Sequence, residues 1–198
     1  MNDDNLYKEL VTFVKHYTDR LFCFRTSRPQ TFRFRSGEFA MIGLNTNSNS
    51  QIFRAYSMTC PSWAEELEFY SIKIPNGPFT KHLQNINIGD EILLKRKTTG
   101  SLVHDALIPG ENLYLISTGT GIAPFASIIR DMETYEKFNK IILTQTCRYS
   151  AELEYGENLI TETRKDPLIG EYAKKQLIFF NTTTQEKSER IGRITDLI

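Results

Sequence analysis

Three short runs in this 198-residue sequence combine residue types suited to a ligand that is both anionic and planar. The first is Arg54-Ala55-Tyr56-Ser57. On a strand, alternation puts Arg54 and Tyr56 on one side and Ala55 and Ser57 on the other. A guanidinium matches phosphate oxygens bidentately, a tyrosine ring offers a flat face for stacking, and a serine hydroxyl can bond a ring heteroatom. The second run is Thr118-Gly119-Thr120-Gly121, which follows an apolar stretch and opens a helix. Such turns aim backbone N–H groups and the positive end of a helix at phosphate, although this one lacks the full G-x-G-x-x-G spacing. The third is Pro75-Asn76-Gly77-Pro78-Phe79-Thr80. It turns onto a short helix whose first amides, with the Thr80 hydroxyl, suit a second phosphate. Taken singly, each run also fits an ordinary strand or turn with no ligand.

The elements that must position these runs are of two kinds. The first half reads as short strands at Leu6–Tyr17, Leu21–Arg28, Glu38–Leu44, Ile52–Thr59, Leu67–Ile74 and Glu91–Lys97, with one short helix at Phe79–Gln84. In Leu21–Arg28, Phe22 and Phe24 share one face and Cys23 and Arg25 the other. Turn residues such as Ser36-Gly37, the polar run Asn45–Ser50 and Gly89-Asp90 separate the strands. Many short antiparallel strands at this spacing predict a small barrel, whose closure removes exposed edges. Past Pro109-Gly110 the pattern alternates strand and helix. Strands are expected at Asn112–Ser117, Lys140–Thr146 and Gln176–Phe180. Helical spacing runs from Pro124 through Ile128, Ile129 and Met132, and again over Ala151–Lys165. That alternation predicts a parallel sheet with right-handed crossovers. The expected organisation is an antiparallel β-barrel over 1–105 and an α/β parallel-sheet domain over 111–198.

Composition narrows the function classes. Twenty-four Lys and Arg balance twenty-four Asp and Glu, which argues against a dedicated nucleic-acid binder. No apolar run approaches the roughly 18 residues of a membrane span, and MNDDNLYKEL is not a secretory signal. Cys23, Cys60 and Cys147 are odd in number and widely spaced, so free thiols in a reducing cytoplasm are expected. His16, His82 and His104 have no ligand spacing, and no metal is assigned.

The three runs, in this order and followed by Thr146-Cys147-Arg148-Tyr149 and Gly192-Arg193-Ile194, resemble bacterial ferredoxin (flavodoxin)–NADP reductases. The resemblance extends from about His16 to the last residue. It implies an FAD-dependent oxidoreductase that passes electrons between NADPH and ferredoxin or flavodoxin by hydride transfer to flavin N5. By the resemblance, Arg54 and Ala55 belong to the FAD site, Arg54 binding its pyrophosphate. Tyr56 stacks on the isoalloxazine and Ser57 lies near N5, making these two the catalytic candidates. Tyr70, Ser71, Ile72 and Lys73 match a strand contacting the rest of the cofactor. Pro78, Phe79 and Thr80 match the pyrophosphate turn, and Thr118, Gly119 and Thr120 the approach from the second domain. Cys147, Arg148, Thr184, Gln185 and Arg193 match the NADP(H) contacts.

Two departures from that pattern carry expectations. Gln185 stands where the family usually has arginine, which implies weaker discrimination of NADPH from NADH, with Arg148 and Arg193, and Lys187 or Arg190 nearby, left to meet the 2′-phosphate. Relatives continue for several dozen residues beyond Ile198. The implied nucleotide domain is therefore C-terminally incomplete, with the far edge of Asn112–Ser117 unpaired, and the chain is expected to bind FAD better than it turns over NADPH. An oxygenase-type or free-flavin reductase, and a non-catalytic flavin-binding module, fit the same motifs. Arg20, Arg25, Arg28, Arg33 and Arg35 form a basic cluster that suits either an acidic ferredoxin or a plain solvated surface.

Overall fold

The structure, a computed structural model, describes residues 6–46, 50–186 and 190–196. Lys187 lies outside the described residues. The first half forms a six-stranded sheet from β1 (Leu6–His16), β2 (Leu21–Thr26), β3 (Phe39–Asn45), β4 (Gln51–Ser57), β5 (Leu67–Ile72) and β6 (Glu91–Thr99). Their order is β4-β3-β6-β1-β2-β5 and all pairings are antiparallel. β1 makes the barrel corner. Its first half pairs with β6, its second half with β2, and a register shift between Val11 and Phe13 bends it. The sheet curls until Met58, just past β4, bridges Phe69 of β5. Closure is thus a single bridge rather than a ladder, and the seam between β4 and β5 stays open beyond it. The helix α1 (Thr80–Leu83) flanks that seam.

The second half has a three-stranded parallel sheet, β7 (Gly110–Thr118), β8 (Phe138–Cys147) and β9 (Leu177–Thr183), in that order. β7 is its edge among the described residues, as expected. The crossovers carry α2 (Ala123–Ile129), α3 (Met132–Lys137), α4 (Glu154–Lys165) and α5 (Gly170–Gln176). Two details differ from the sequence expectation. Helical spacing through Met132 is interrupted, because Asp131 leaves the helix with an extended backbone and its side chain accepts from Glu133 N, starting α3 afresh. The helix α5 was not expected. Asp166 sets the turn that leads into it, accepting from Leu168 N and Ile169 N.

There are two cores. One fills the barrel with Phe22, Phe24, Phe69, Ile42 and Leu94. The other is built by Leu115, Ile141, Leu143, Ile129 and Leu159, and also includes Leu21, Cys23 and Tyr70 from the barrel strands. The alternation read in β2 therefore holds, with Phe22 and Phe24 inward. Its opposite face is buried too, against the second half. Tyr70 stacks on Tyr155 at 4.0 Å with 10° between rings, and Tyr17 meets both edge-on. This continuous apolar contact seats one half on the other.

Candidate functional site

Two clefts meet where the halves join. The first, about 530 Å³, lies in the open barrel seam. β4 supplies Arg54, Ala55, Tyr56 and Ser57, β5 supplies Tyr70, Ser71 and Ile72, and the turn before α1 supplies Pro78, Phe79 and Thr80. Thr120, Gly121 and Pro124 close it from the second half. Tyr56 is held from three sides. Its hydroxyl shares a 2.8 Å hydrogen bond with Ser71 Oγ, Phe69 meets its ring edge-on, and Phe79 tilts against it at 5.8 Å. Burial raises its phenol pKa, so it stays protonated. Arg54 is exposed, and among the described residues its guanidinium is engaged only by the Phe53 carbonyl (2.7 Å). The remaining N–H groups are free for an anion. The Thr80 hydroxyl donates to Ile74 O (3.2 Å) and would have to turn to reach a phosphate.

The second cleft, about 670 Å³, opens over the carboxyl ends of the parallel strands. This is where open α/β sheets take ligands. Thr118, Gly119, Thr120, Cys147, Arg148, Thr184 and Arg193 all line it. Gly119 sits at φ +51°, in the left-handed region, and a side chain there would project into open space. The turn therefore presents bare backbone to the cleft. Three guanidiniums, those of Arg20, Arg148 and Arg193, face one lining carboxylate, Glu152. Arg20 Nη1 lies 3.7 Å from Glu152, while the side chains of Arg148 and Arg193 have no acidic partner among the described residues. That excess of fixed positive charge suits a ligand with more than one phosphate. Burial, and next Glu152, push the Cys147 thiol up to about 12, so it remains a neutral donor to Glu152 O.

The two clefts share Ile72 and Thr120, so ligands in them would meet edge to edge. Not every expected residue lines a cleft. Lys73 lies one residue past β5, with its N–H on Arg20 O (2.6 Å). Gln185 stands beside the second cleft, accepting from Tyr149 OH (3.1 Å). Tyr70 lines the first cleft while its ring belongs to the stack between the halves. Sequence reading missed Arg20 and Glu152, which meet across 132 residues of chain and belong to no local motif. It also left Gly121 and Pro124 unassigned, though the run containing them was already singled out. The basic cluster is internally engaged. Arg25 bonds Glu68, Arg28 bonds the Ser62, Ala64 and Phe32 carbonyls, Arg33 the Gln30 carbonyl, and Arg35 pairs with Asp105.

The donors fit the groups the motifs suggested. The seam cleft offers an aromatic face beside an unspent guanidinium, as a flavin dinucleotide requires. The second offers a bare glycine turn beside Arg148 and Arg193, which have no acidic partner among the described residues, as a pyridine dinucleotide requires. Comparison with known proteins agrees. Residues 11–102 match the oxidoreductase FAD-binding domain family and residues 115–198 the oxidoreductase NAD-binding domain family. The chain is 55% identical over 188 residues to the flavodoxin/ferredoxin–NADP reductase of Rhodobacter capsulatus, covering 95% of this chain and 70% of that protein. It is 46% identical to the ferredoxin–NADP reductase of Pseudomonas aeruginosa over 98% of this chain and 75% of that one. The crystal structure of a ferredoxin NADP+ reductase from Neisseria gonorrhoeae, with bound FAD and NADP, superposes with a TM-score of 0.86 at 29% identity. It covers 98% of this chain and 76% of that one.

Proposed function

Because the chain belongs to the bacterial ferredoxin/flavodoxin–NADP reductase family, and so is an FAD-dependent oxidoreductase using NADP(H), we propose that it moves electrons between NADPH and a ferredoxin or flavodoxin. The observation that carries this reading is the shared wall of the two clefts at Ile72 and Thr120. FAD supplies the exchange between two-electron and one-electron chemistry that such a reaction needs. The chain's own residues bind, orient and exclude water.

Arg54 neutralises pyrophosphate with the N–H groups that Phe53 leaves free. Tyr56 presents a ring that Ser71, Phe69 and Phe79 fix in place, so stacking costs it little further entropy. Ser57, next on the strand, lines the same cleft and would offer its hydroxyl to the flavin. On the nucleotide side Gly119 and Thr120 admit close approach, and Arg148, Thr184 and Arg193 hold the phosphates. Gln185 brings no charge to that end. The buried free cysteines support a reducing cytoplasmic location.

The test is NADPH oxidation by the FAD-loaded chain with ferricyanide, and then with ferredoxin or flavodoxin, as acceptor. Turnover with a protein carrier is expected. Turnover with ferricyanide or free flavin but no protein carrier would refute the acceptor assignment and favour a free-flavin or oxygenase-type reductase.

A further inference from the structure

Behind the two clefts, a buried carboxylate bonds to both halves at once. Glu68 lies on β5, on the face opposite Phe69 and Ser71, and is 6% exposed. Its Oε1 accepts from Thr59 Oγ1 at 2.7 Å, Arg130 Nη1 at 2.9 Å and Tyr155 OH at 3.5 Å. Its Oε2 accepts from Arg25 Nε at 2.9 Å. Two of these donors, Arg25 and Thr59, belong to the barrel. The other two belong to the nucleotide half, Arg130 at the end of α2 and Tyr155 at the start of α4. The same Arg130 Nη1 also donates to the Thr59 carbonyl (3.3 Å), so one guanidinium nitrogen meets two barrel acceptors across the junction. A second buried link runs parallel, with Ser127 Oγ donating to Cys60 O at 2.6 Å and accepting from Gly37 N at 3.3 Å.

The elements gathered by Glu68 also lead into the clefts. β5 continues from Glu68 to Ser71 and Ile72 in the flavin cleft. The turn that opens α2 contributes Thr120 and Gly121. α4 follows directly on Glu152 in the nucleotide cleft. We infer that Glu68, through Arg130 and Tyr155, is a positioning residue that fixes the angle between the flavin and nucleotide clefts and thereby sets the rate of electron exchange between their ligands. A fixed angle matters because misplacement by about 1 Å between reacting partners can cost on the order of a hundredfold in rate. The ionic centre and the apolar Tyr70–Tyr155 stack share the work. The stack supplies attachment, and the directional hydrogen bonds to Glu68 supply register.

This inference rests on the functional reading above, and its test separates the two. Wild type, Glu68→Gln and Arg130→Lys are loaded with FAD and mixed anaerobically with NADPH in a stopped-flow instrument, and flavin bleaching is timed. FAD dissociation constants and hydrogen exchange in α2 and α4 are measured on the same samples. The expected result is bleaching at least tenfold slower in Glu68→Gln, an FAD affinity within about twofold of wild type, faster exchange in α2 and α4, and a smaller slowing in Arg130→Lys, which keeps the charge. Unchanged bleaching in Glu68→Gln would overturn the inference. So would parallel losses of bleaching rate and FAD affinity, which would mark Glu68 as a general stability residue. If Glu68→Gln does not fold, Arg130→Lys decides: measurably slower bleaching at an FAD affinity within about twofold of wild type is expected, and unchanged bleaching would overturn the inference. A wild type that NADPH does not bleach would refute the functional reading instead, and unaltered exchange in the variants would then refute the link itself.

Discussion

The buried Glu68 carboxylate makes stability depend on acid in a way that one substitution should erase. Burial alone would raise its pKa, but Arg130, Thr59 and Arg25 together overcome that and hold it at about 2, against an ordinary 4.5. Because the folded value is depressed, the stabilisation is fully present above pH 4.5 and is lost as pH falls through about 2. The displacement corresponds to about 3 kcal/mol at neutral pH. An independent expectation has the same size, since removing one partner of a buried ion pair costs about 3–5 kcal/mol. Urea unfolding of wild type and Glu68→Gln, followed by circular dichroism, measures it directly. At pH 7 the variant should be less stable by about 3 kcal/mol, and at pH 3 the difference should fall to about half. A difference that does not narrow between pH 7 and pH 3 would mean that the Glu68 contacts do not act through its charge, and would refute the reasoning.

Three further outcomes follow from the clefts. Gln185→Arg should raise the ratio of kcat/KM for NADPH over NADH about tenfold, the worth of one exposed charge-assisted contact; an unchanged ratio would show that position 185 does not meet the 2′-phosphate. Arg54→Ala should weaken FAD binding by about ten- to a hundredfold, through loss of a charged phosphate contact, with unchanged circular dichroism, as read by fluorescence titration. Tyr56→Phe should keep FAD affinity within a few-fold, since the ring remains, whereas Tyr56→Ala should lose about tenfold or more; equal losses in both would place the importance of Tyr56 in its bond to Ser71 rather than in stacking.

The sequence revealed those parts of the molecule whose signals are local. Alternation in Phe22-Cys23-Phe24 gave β2 and its inward face, and an apolar run before Thr118-Gly119 gave the strand and turn of the second cleft. The Arg54–Ser57 run marked the seam by residue type, and all four of its residues line the cleft rather than Arg54 and Tyr56 alone. Contacts made across the chain left no such mark. The outer face of β2 and the ring of Tyr70 are buried by Tyr155 and its neighbours, and nothing near Tyr70 in sequence announces that. The basic cluster read as a surface, yet Arg25 and Arg28 spend their guanidiniums on Glu68 and on backbone carbonyls of the same half. The helix α5 escaped notice because it is seven residues long and is entered through a turn that Asp166 caps.

The central claim is that a flavin held in the seam and a pyridine nucleotide held over β7–β9 meet at Ile72 and Thr120. Anaerobic titration of the FAD-loaded chain with NADPH, watching the flavin absorbance, tests it most directly. The account predicts that the yellow colour bleaches as NADPH is added. A protein that binds FAD and stays yellow at saturating NADPH would contradict it.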